Sequence, residues 1–99
     1  MANKLFSILT DDLRHCYVTG SPTVAIHHVF PGTGRRKMCE VYGFIVPLRP
    51  DYHTSSDYAV HMNPNKDLDL RLKQECQRYF EEHYGSRQDF ISHFGKSLL

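Results

Sequence analysis

The C-terminal third of the chain has the most regular spacing of side chains, and this spacing constrains the fold most. Mostly apolar residues recur there at three- and four-residue steps, a stripe typical of one face of an α-helix. The members of this stripe are Leu68, Leu72, Cys76, Tyr79, Phe80 and His83. Asn65 or Asp67 can cap the start of the helix, and Gly85 can follow its end. The pattern therefore predicts a long helix between residues 65 and 85.

A second, shorter helix is predicted directly after the first. Ser86 and Asp89 stand three residues apart, as in a capping box, where each side chain bonds a backbone N–H near the other. Gly95 would end this helix. Its apolar face would consist of Phe90, Ile91 and Phe94. The C-terminal part of the chain is therefore expected to be a pair of helices.

The preceding part of the chain favours strands. Segments 24–30 and 43–48 are rich in β-branched and aromatic residues, and both predict strands. Gly20-Ser21-Pro22 is a turn signature between residues 16–18 and the first of these strands, which predicts a β-hairpin. Residues 31–40 are expected to be a loop, and residues 49–66 an irregular polar segment. The order of these elements predicts a compact α+β fold.

The chain is too short to be stabilised by a large core alone. A chain of 99 residues buries about 60–65% of the surface that its unfolded form exposes, so a metal, a partner or very regular helices are expected to help. Seven histidines are its most unusual compositional feature. Histidine is the commonest metal ligand and the usual general base near neutral pH. A metal site is therefore a natural hypothesis.

Cysteine content and hydropathy bear on the compartment. The three cysteines form an odd count without the spacing of a disulfide framework. The N-terminal residues lack the pattern of a signal peptide, and no apolar stretch approaches the roughly 20 residues of a membrane span. We therefore expect a reduced, cytoplasmic protein that is not bound to a membrane.

Four histidines in the middle of the chain could form one site. His27 and His28 end a predicted strand, His53 follows the next strand, and His61 precedes the long helix. Neighbouring strand residues point to opposite faces, so both imidazoles of the pair can reach one site only where the strand distorts or ends. Pro31 follows at once and makes such an ending plausible. Three of these histidines could hold one divalent ion and leave the fourth free to accept a proton.

This set of groups suits metal-assisted hydrolysis of a phosphodiester. A metal neutralises charge on the phosphate and on the departing oxygen, while a free imidazole activates water. Arg35, Arg36 and Lys37 follow the histidine pair, and arginine matches phosphate oxygens well. A His-His pair taken alone is common, however, and a run of three cations is more often a solvated loop. The combination carries the hypothesis of a nucleic-acid site.

The order of these motifs resembles the small HNH-type proteins of phages and prophages. The resemblance covers residues 14–99. It rests on the His-His pair with its glycine-rich turn, Arg-Arg-Lys, Tyr-Gly before the second strand, the histidine after that strand, Val-His-x-Asn, and Asp-Leu-x-Leu-Lys-Gln-Glu. These proteins belong to the HNH (ββα-metal) endonuclease superfamily and are similar to a RecA-dependent recombination-enhancement nuclease.

The resemblance implies a ββα-metal core, in which two antiparallel strands and a helix hold one divalent ion. It implies that His27, His53 and His61 are metal ligands and that His28 is the general base. The ion would be Mg²⁺, Mn²⁺, Zn²⁺ or Ni²⁺. DNA is the implied substrate, phage recombination or repair the implied process, and a recombinase filament a further implied partner.

The resemblance also divides the chain into parts of one domain. Residues 1–13 form an N-terminal segment, residues 14–64 the HNH-like core, and residues 65–99 a helical appendage packed on that core. The helix of the metal motif is expected to be a short turn around residues 51–60.

The chain departs from the family at a structural zinc site. Members of the group often carry a Cys-x-x-Cys pair and a Cys-Pro-x-His-His segment. Here Thr19 and Arg49 stand where thiolates are expected, and only Cys16 clearly survives. A structural zinc needs a closed set of nitrogen or sulfur ligands, so no structural zinc is expected. Two alternatives to a nuclease therefore stay open: a decayed scaffold that binds DNA or a protein without cleaving, and a metal that only stabilises the fold.

Overall fold

The computed structural model describes residues 4–99. Its elements, in chain order, are β1 (Ala25–His28), α1 (Arg35–Tyr42), β2 (Ile45–Leu48), α2 (Pro50–His53), a 3₁₀ turn (Val60–Met62), α3 (Asp67–His83) and α4 (Arg87–Phe94). This combination of a small sheet with helices confirms the predicted α+β class. None of the helices within residues 4–99 is both long and apolar enough to cross a membrane.

The two strands form an antiparallel pair in which Ala25 lies opposite Leu48 and His28 opposite Ile45. The predicted hairpin between residues 16–18 and β1 is therefore wrong, because β1 pairs with β2 instead. The turn itself forms, but it closes on Cys16: the N–H of Cys16 donates to Ser21 O (2.8 Å). Tyr17 N donates to Pro47 O on β2 (2.8 Å), so residues 16–18 contact β2 and do not pair with β1.

Residues 35–42 form helix α1, and the prediction of a loop over residues 31–40 is wrong for this part. Cys39 is fully buried on this helix, with Met38 and Tyr42 packed against the same core. Gly34 and Gly43 flank the helix, and both have left-handed backbone conformations. The glycines therefore bound a short helix, and they do not mark a continuous loop.

Gly43 has a specific role at the end of α1. Its φ is 79°, and its N–H donates to Cys39 O, which satisfies a carbonyl that the helix leaves free. A Cβ at this position would lie 2.5 Å from the Phe6 ring. Ile8 N donates to Gly43 O (2.9 Å) on the same side. The absence of a side chain at Gly43 therefore lets the N-terminal segment pack against α1 and β2.

Helices α3 and α4 occupy the predicted segments. The capping box of Ser86 and Asp89 is confirmed in both directions. The N-cap of α3 is Lys66, without a side-chain cap, so the expected caps by Asn65 or Asp67 are wrong. Those two residues have positive φ values of 58° and 46°, which turn the chain sharply into the helix.

The core lies where the sheet meets α3 and α4. A cluster of aromatic rings fills it, with centroids 4.5 Å apart for Phe30 and Phe94 and 5.6 Å apart for Phe80 and Phe90. The N-terminal residues Ile8, Leu9 and Leu13 pack against the same cluster. The predicted N-terminal, central and C-terminal segments thus all contribute to one core.

Candidate metal centre

Three histidines from three separate elements meet beside the sheet. His27 comes from β1, His53 ends α2, and His61 lies in the 3₁₀ turn. Their ligand atoms all lie within 4.8 Å of one another. The ring centroids are 5.2 Å apart for His27 and His53, 5.0 Å for His27 and His61, and 4.6 Å for His53 and His61. The structure therefore brings together the three predicted ligands in a group that could hold one metal ion.

The segment between His53 and His61 is held by the carboxylate of Asp51. Arg49 donates to it through Nε (2.6 Å) and Nη2 (2.8 Å), and the Tyr58 hydroxyl donates to Oδ2 (2.5 Å). These hydrogen bonds, with that from Arg49 foremost, keep the pKa of Asp51 below its usual range. Asp51 thus stays charged and fastens the loop that carries the second and third histidines.

His27 is the unusual member of the group, because it is 3% exposed and neither ring nitrogen has a hydrogen-bond partner among residues 4–99. An unsatisfied buried polar group costs about 1–3 kcal/mol, so such a group needs an explanation. Burial, together with the nearby rings of His61 and His53, lowers its pKa to about 3. His27 is therefore a neutral imidazole with a free lone pair, which is the form that binds metal.

His53 and His61 complete the group from its more open side. Their Nε2 atoms are 2.9 Å apart, so the two rings converge on the same point. His53 is half-buried and His61 is exposed. Burial lowers the pKa of His53, and the adjacent ring of His61 acts in the same direction. This shift favours the neutral form of His53, which is the form that binds a divalent cation.

His28 lies on the opposite face of the strand from His27, but it lines the same cleft as His53 and His61. Its Nε2–H donates to Oε2 of Glu40 on α1 (2.8 Å), and its side chain is 14% exposed. The carboxylate can only accept, so Nε2 carries the proton of this hydrogen bond, and Nδ1 has no hydrogen-bond partner among residues 4–99. The two neighbouring histidines therefore have separate environments: His27 is buried at the centre, and His28 is held beside it by an acid.

An open cleft of about 290 Å³ adjoins two of the three histidines, His53 and His61. Its lining consists of Ile26, His28, Phe30, Pro31, Gly32, Arg36, His53 and His61. The predicted general base, two predicted metal ligands and one predicted phosphate-binding arginine thus share this space, which we call the histidine cleft.

The predicted basic run does not form one surface. Helix α1 separates successive side chains by about 100°, so Arg35, Arg36 and Lys37 point in different directions. Arg36 lines the histidine cleft, Arg35 lines a second cleft, and Lys37 is exposed. A loop could have aimed all three at one phosphate, but a helix does not.

Glu40 is the site residue that the sequence interpretation missed, because residues 31–40 were expected to be a loop. Arg36 and Glu40 are four residues apart, which places them on one face of a helix. This spacing becomes informative only once residues 35–42 are recognised as helical. The apolar positions Met38 and Tyr42, also four apart, were the available signal.

Three residues that the resemblance places at a zinc site, Cys16, Thr19 and Arg49, lie close together in the structure. Arg49 N donates to Cys16 Sγ (3.3 Å). Burial raises the pKa of the Cys16 thiol, but hydrogen bonds from Thr19 and Arg49 outweigh it, so that the pKa is lowered. The Cys16 thiol therefore accepts hydrogen bonds at a position where the resemblance predicts a metal ligand.

Comparisons with protein-family models, curated proteins and solved structures gave no match to this chain. Membership of the HNH superfamily therefore stays a prediction from the motifs. A function for this chain has to be inferred from the geometry of the three histidines and their cleft.

Proposed function

We propose that the protein is a divalent-metal-dependent endonuclease of the HNH type that hydrolyses DNA phosphodiester bonds in phage recombination or repair. One observation carries the proposal. The buried His27 has no hydrogen-bond partner in the described part of the chain, and it converges with His53 and His61 beside a cleft that also contains His28 and Arg36.

His27, His53 and His61 are the residues that would hold the ion. When bound, the metal would supply positive charge against the scissile phosphate and the departing oxygen. Imidazole nitrogens suit Zn²⁺, Ni²⁺ and several other divalent ions, and affinity order alone does not select among them. The buried position of His27 excludes water from one side of the site, which strengthens electrostatic interactions there.

His28 would act as the general base. Its Nδ1 is free to accept a proton from water, because Nε2–H is engaged by Glu40. The Glu40 carboxylate fixes the ring orientation and favours the imidazolium that forms when His28 takes the proton. Glu40 is thus a positioning residue, and it holds the base in the wall of the histidine cleft.

Arg36 would bind the substrate in the same cleft. Its guanidinium can donate two parallel hydrogen bonds to phosphate oxygens. No carboxylate among residues 4–99 forms an ion pair with it. Its charge is therefore available to a DNA phosphate.

Plasmid cleavage tests this function. Supercoiled DNA would be incubated with the protein and Mg²⁺, Mn²⁺, Ni²⁺ or Zn²⁺ in separate reactions, and EDTA should abolish nicking. Loss of a general base typically costs about 10²–10⁴-fold in rate, so His28→Ala should lose activity by this factor. Glu40→Gln should lose about 10–100-fold, as expected for a group that orients a functional side chain.

His83→Ala is the matched control, because His83 is exposed at the end of α3 and should retain full activity. Metal-dependent cleavage that persists unchanged in His28→Ala would rule out the role assigned to His28. If the protein cleaves DNA with none of the four metals, the proposal that it is a nuclease is contradicted.

A decayed HNH scaffold that binds DNA without cutting it is the second candidate. It is favoured by Thr19 and Arg49, which stand where the family carries thiolates. This candidate predicts DNA binding that weakens steeply with salt, without metal-dependent strand scission. The plasmid assay and a binding assay on the same preparation separate the two functions.

A further inference from the structure

A second cleft, of about 200 Å³, adjoins the histidine cleft. Its lining consists of Phe30, Pro31, Arg35, Pro64, Asn65, Lys73, Phe94, Lys96 and Leu98. Phe30 and Pro31 line both clefts, so the two spaces meet along this short segment. A ligand extended across Pro31 could therefore occupy both.

The charged side chains of the second cleft are all cations. Lys73 is buried, and its charge is balanced by Asp69 Oδ2 (2.8 Å) and by a hydrogen bond to Asn65 Oδ1 (2.9 Å). Arg35 and Lys96, in contrast, form no ion pair with any acid in the described range 4–99. The cleft therefore has two uncompensated positive charges, and no acidic side chain lines it.

Arg35 is held in place without an acidic partner. A Cβ on Gly95 would lie 2.6 Å from Arg35 Nη2, and a Cβ on Gly32 would lie 3.4 Å from Arg35 Cδ. The guanidinium thus packs closely against the backbone at Gly95, and the stem of the side chain passes Gly32. A half-buried arginine fixed by packing, with its donors unpaired, is already oriented for an anion, so little ordering entropy is lost on binding.

We propose that this second cleft binds a phosphate of the nucleic-acid strand, next to the phosphate held in the histidine cleft. The inference rests on the proposed function, because that function supplies the strand. Arg35 would contact phosphate oxygens in a fork geometry and Lys96 would add a point charge. Arg36 and Arg35, adjacent in sequence, would then contact neighbouring phosphates of one strand.

DNA binding without metal tests the cleft separately from catalysis. Binding of a fluorescent duplex would be measured in EDTA across a range of KCl concentrations. Each lost phosphate contact should reduce the slope of log K against log salt by about 0.9. Arg35→Gln and Lys96→Gln should each show this reduction and a weaker affinity. Arg78→Gln, a change at an exposed position of α3, should show neither.

The outcomes distinguish this inference from the function on which it rests. If Arg35→Gln and Lys96→Gln both bind DNA with unchanged affinity and salt dependence, the proposal that the second cleft binds a phosphate is overturned. Plasmid cleavage by the wild type would still support the nuclease. Thermal melts identify a variant that fails to fold, and the second variant then still tests the proposal. A third outcome would also overturn the proposal. If inorganic phosphate stabilises the wild type but neither variant, and both variants still bind DNA normally, the second cleft binds a free anion and not a DNA phosphate.

Discussion

At the scale of single residues, the environment of His27 is the feature that a metal explains best. A buried imidazole with neither nitrogen satisfied is costly, whereas a ligand bond would satisfy one nitrogen. The adjacent His28 shows the opposite solution, because its ring is hydrogen-bonded to Glu40. The two adjacent histidines thus lie on opposite faces of one strand and have different environments.

The depressed pKa of His27 predicts that the metal-free protein loses stability in acid. The folded-state pKa is about 3, while the unfolded chain titrates near 6.5. Below pH 6.5 the unfolded state therefore binds a proton that the native state does not, and the free energy of unfolding falls as pH drops towards 3. A single such group contributes a slope of up to about 1.4 kcal/mol per pH unit.

Urea denaturation at pH 7.5, 6.0 and 5.0 measures this effect. The His27→Gln variant cannot titrate at this position, so its stability should vary less with pH than that of the wild type. His53, whose pKa is also lowered by burial, leaves some dependence in both proteins. An identical pH dependence in the two proteins would show that His27 is not the group responsible.

At the residue scale, the sequence indicated which three histidines lie close together. Histidine is the commonest metal ligand, which singled out positions 27, 53 and 61. The ligand atoms of these three residues lie close together. Glu40 was missed because a carboxylate on a presumed loop carries no signal. The direction of Arg35 away from the histidine cleft was also beyond reach, because it depends on which residues are helical.

At the scale of elements, the long apolar stripe of α3 and the capping box of α4 could be predicted, because both depend on local spacing. Helix α1 could not be predicted as easily. It has only eight residues, it follows three helix-breaking residues, and an isolated helix of this length is unstable. Its stability comes from burial of Cys39 against the core, a tertiary effect. The local hairpin was wrong for a similar reason, because β1 pairs with the more distant β2. The antiparallel pairing of two strands was implied only by the family resemblance.

Two glycines with the same φ offer a matched test of how α1 is held. Gly20 and Gly43 both have φ of 79°, but a Cβ would meet nothing within 4 Å at Gly20 and would lie 2.5 Å from Phe6 at Gly43. The left-handed conformation alone should cost alanine about 1–2 kcal/mol. Gly43→Ala should therefore destabilise the protein by more than Gly20→Ala, with overpacking adding about 1–3 kcal/mol.

Chemical denaturation of the two variants gives this difference directly. Gly20→Ala serves as the control for the backbone term. Equal losses of stability would mean that the contact between Phe6 and Gly43 does not constrain the end of α1.

At the scale of the whole molecule, the metal is expected to stabilise the folded state as well as to support catalysis. The three histidines join β1, α2 and the 3₁₀ turn, and a ligand that binds only the folded state stabilises it. Free metal at 100 times its Kd adds about 2.7 kcal/mol. For a domain of this size each kcal/mol raises the Tm by about 4–8 °C.

Thermal melts with and without Zn²⁺ or Ni²⁺ measure this stabilisation as a change in Tm. The wild type and His83→Ala should melt at higher temperature with metal, and His53→Ala and His61→Ala should not. A rise of equal size in His61→Ala would place the metal elsewhere. Complete unfolding of the wild type by chelator would favour a purely structural metal over a catalytic one.

A crystal structure of the protein grown with Zn²⁺, with anomalous diffraction recorded at the zinc edge, tests the central claim most directly. We expect one anomalous peak about 2.0–2.1 Å from a ring nitrogen of each of His27, His53 and His61, with His28 unligated in the cleft wall. An anomalous map without a peak among these three rings, or with its peak on other residues, would contradict the metal centre and the nuclease built upon it.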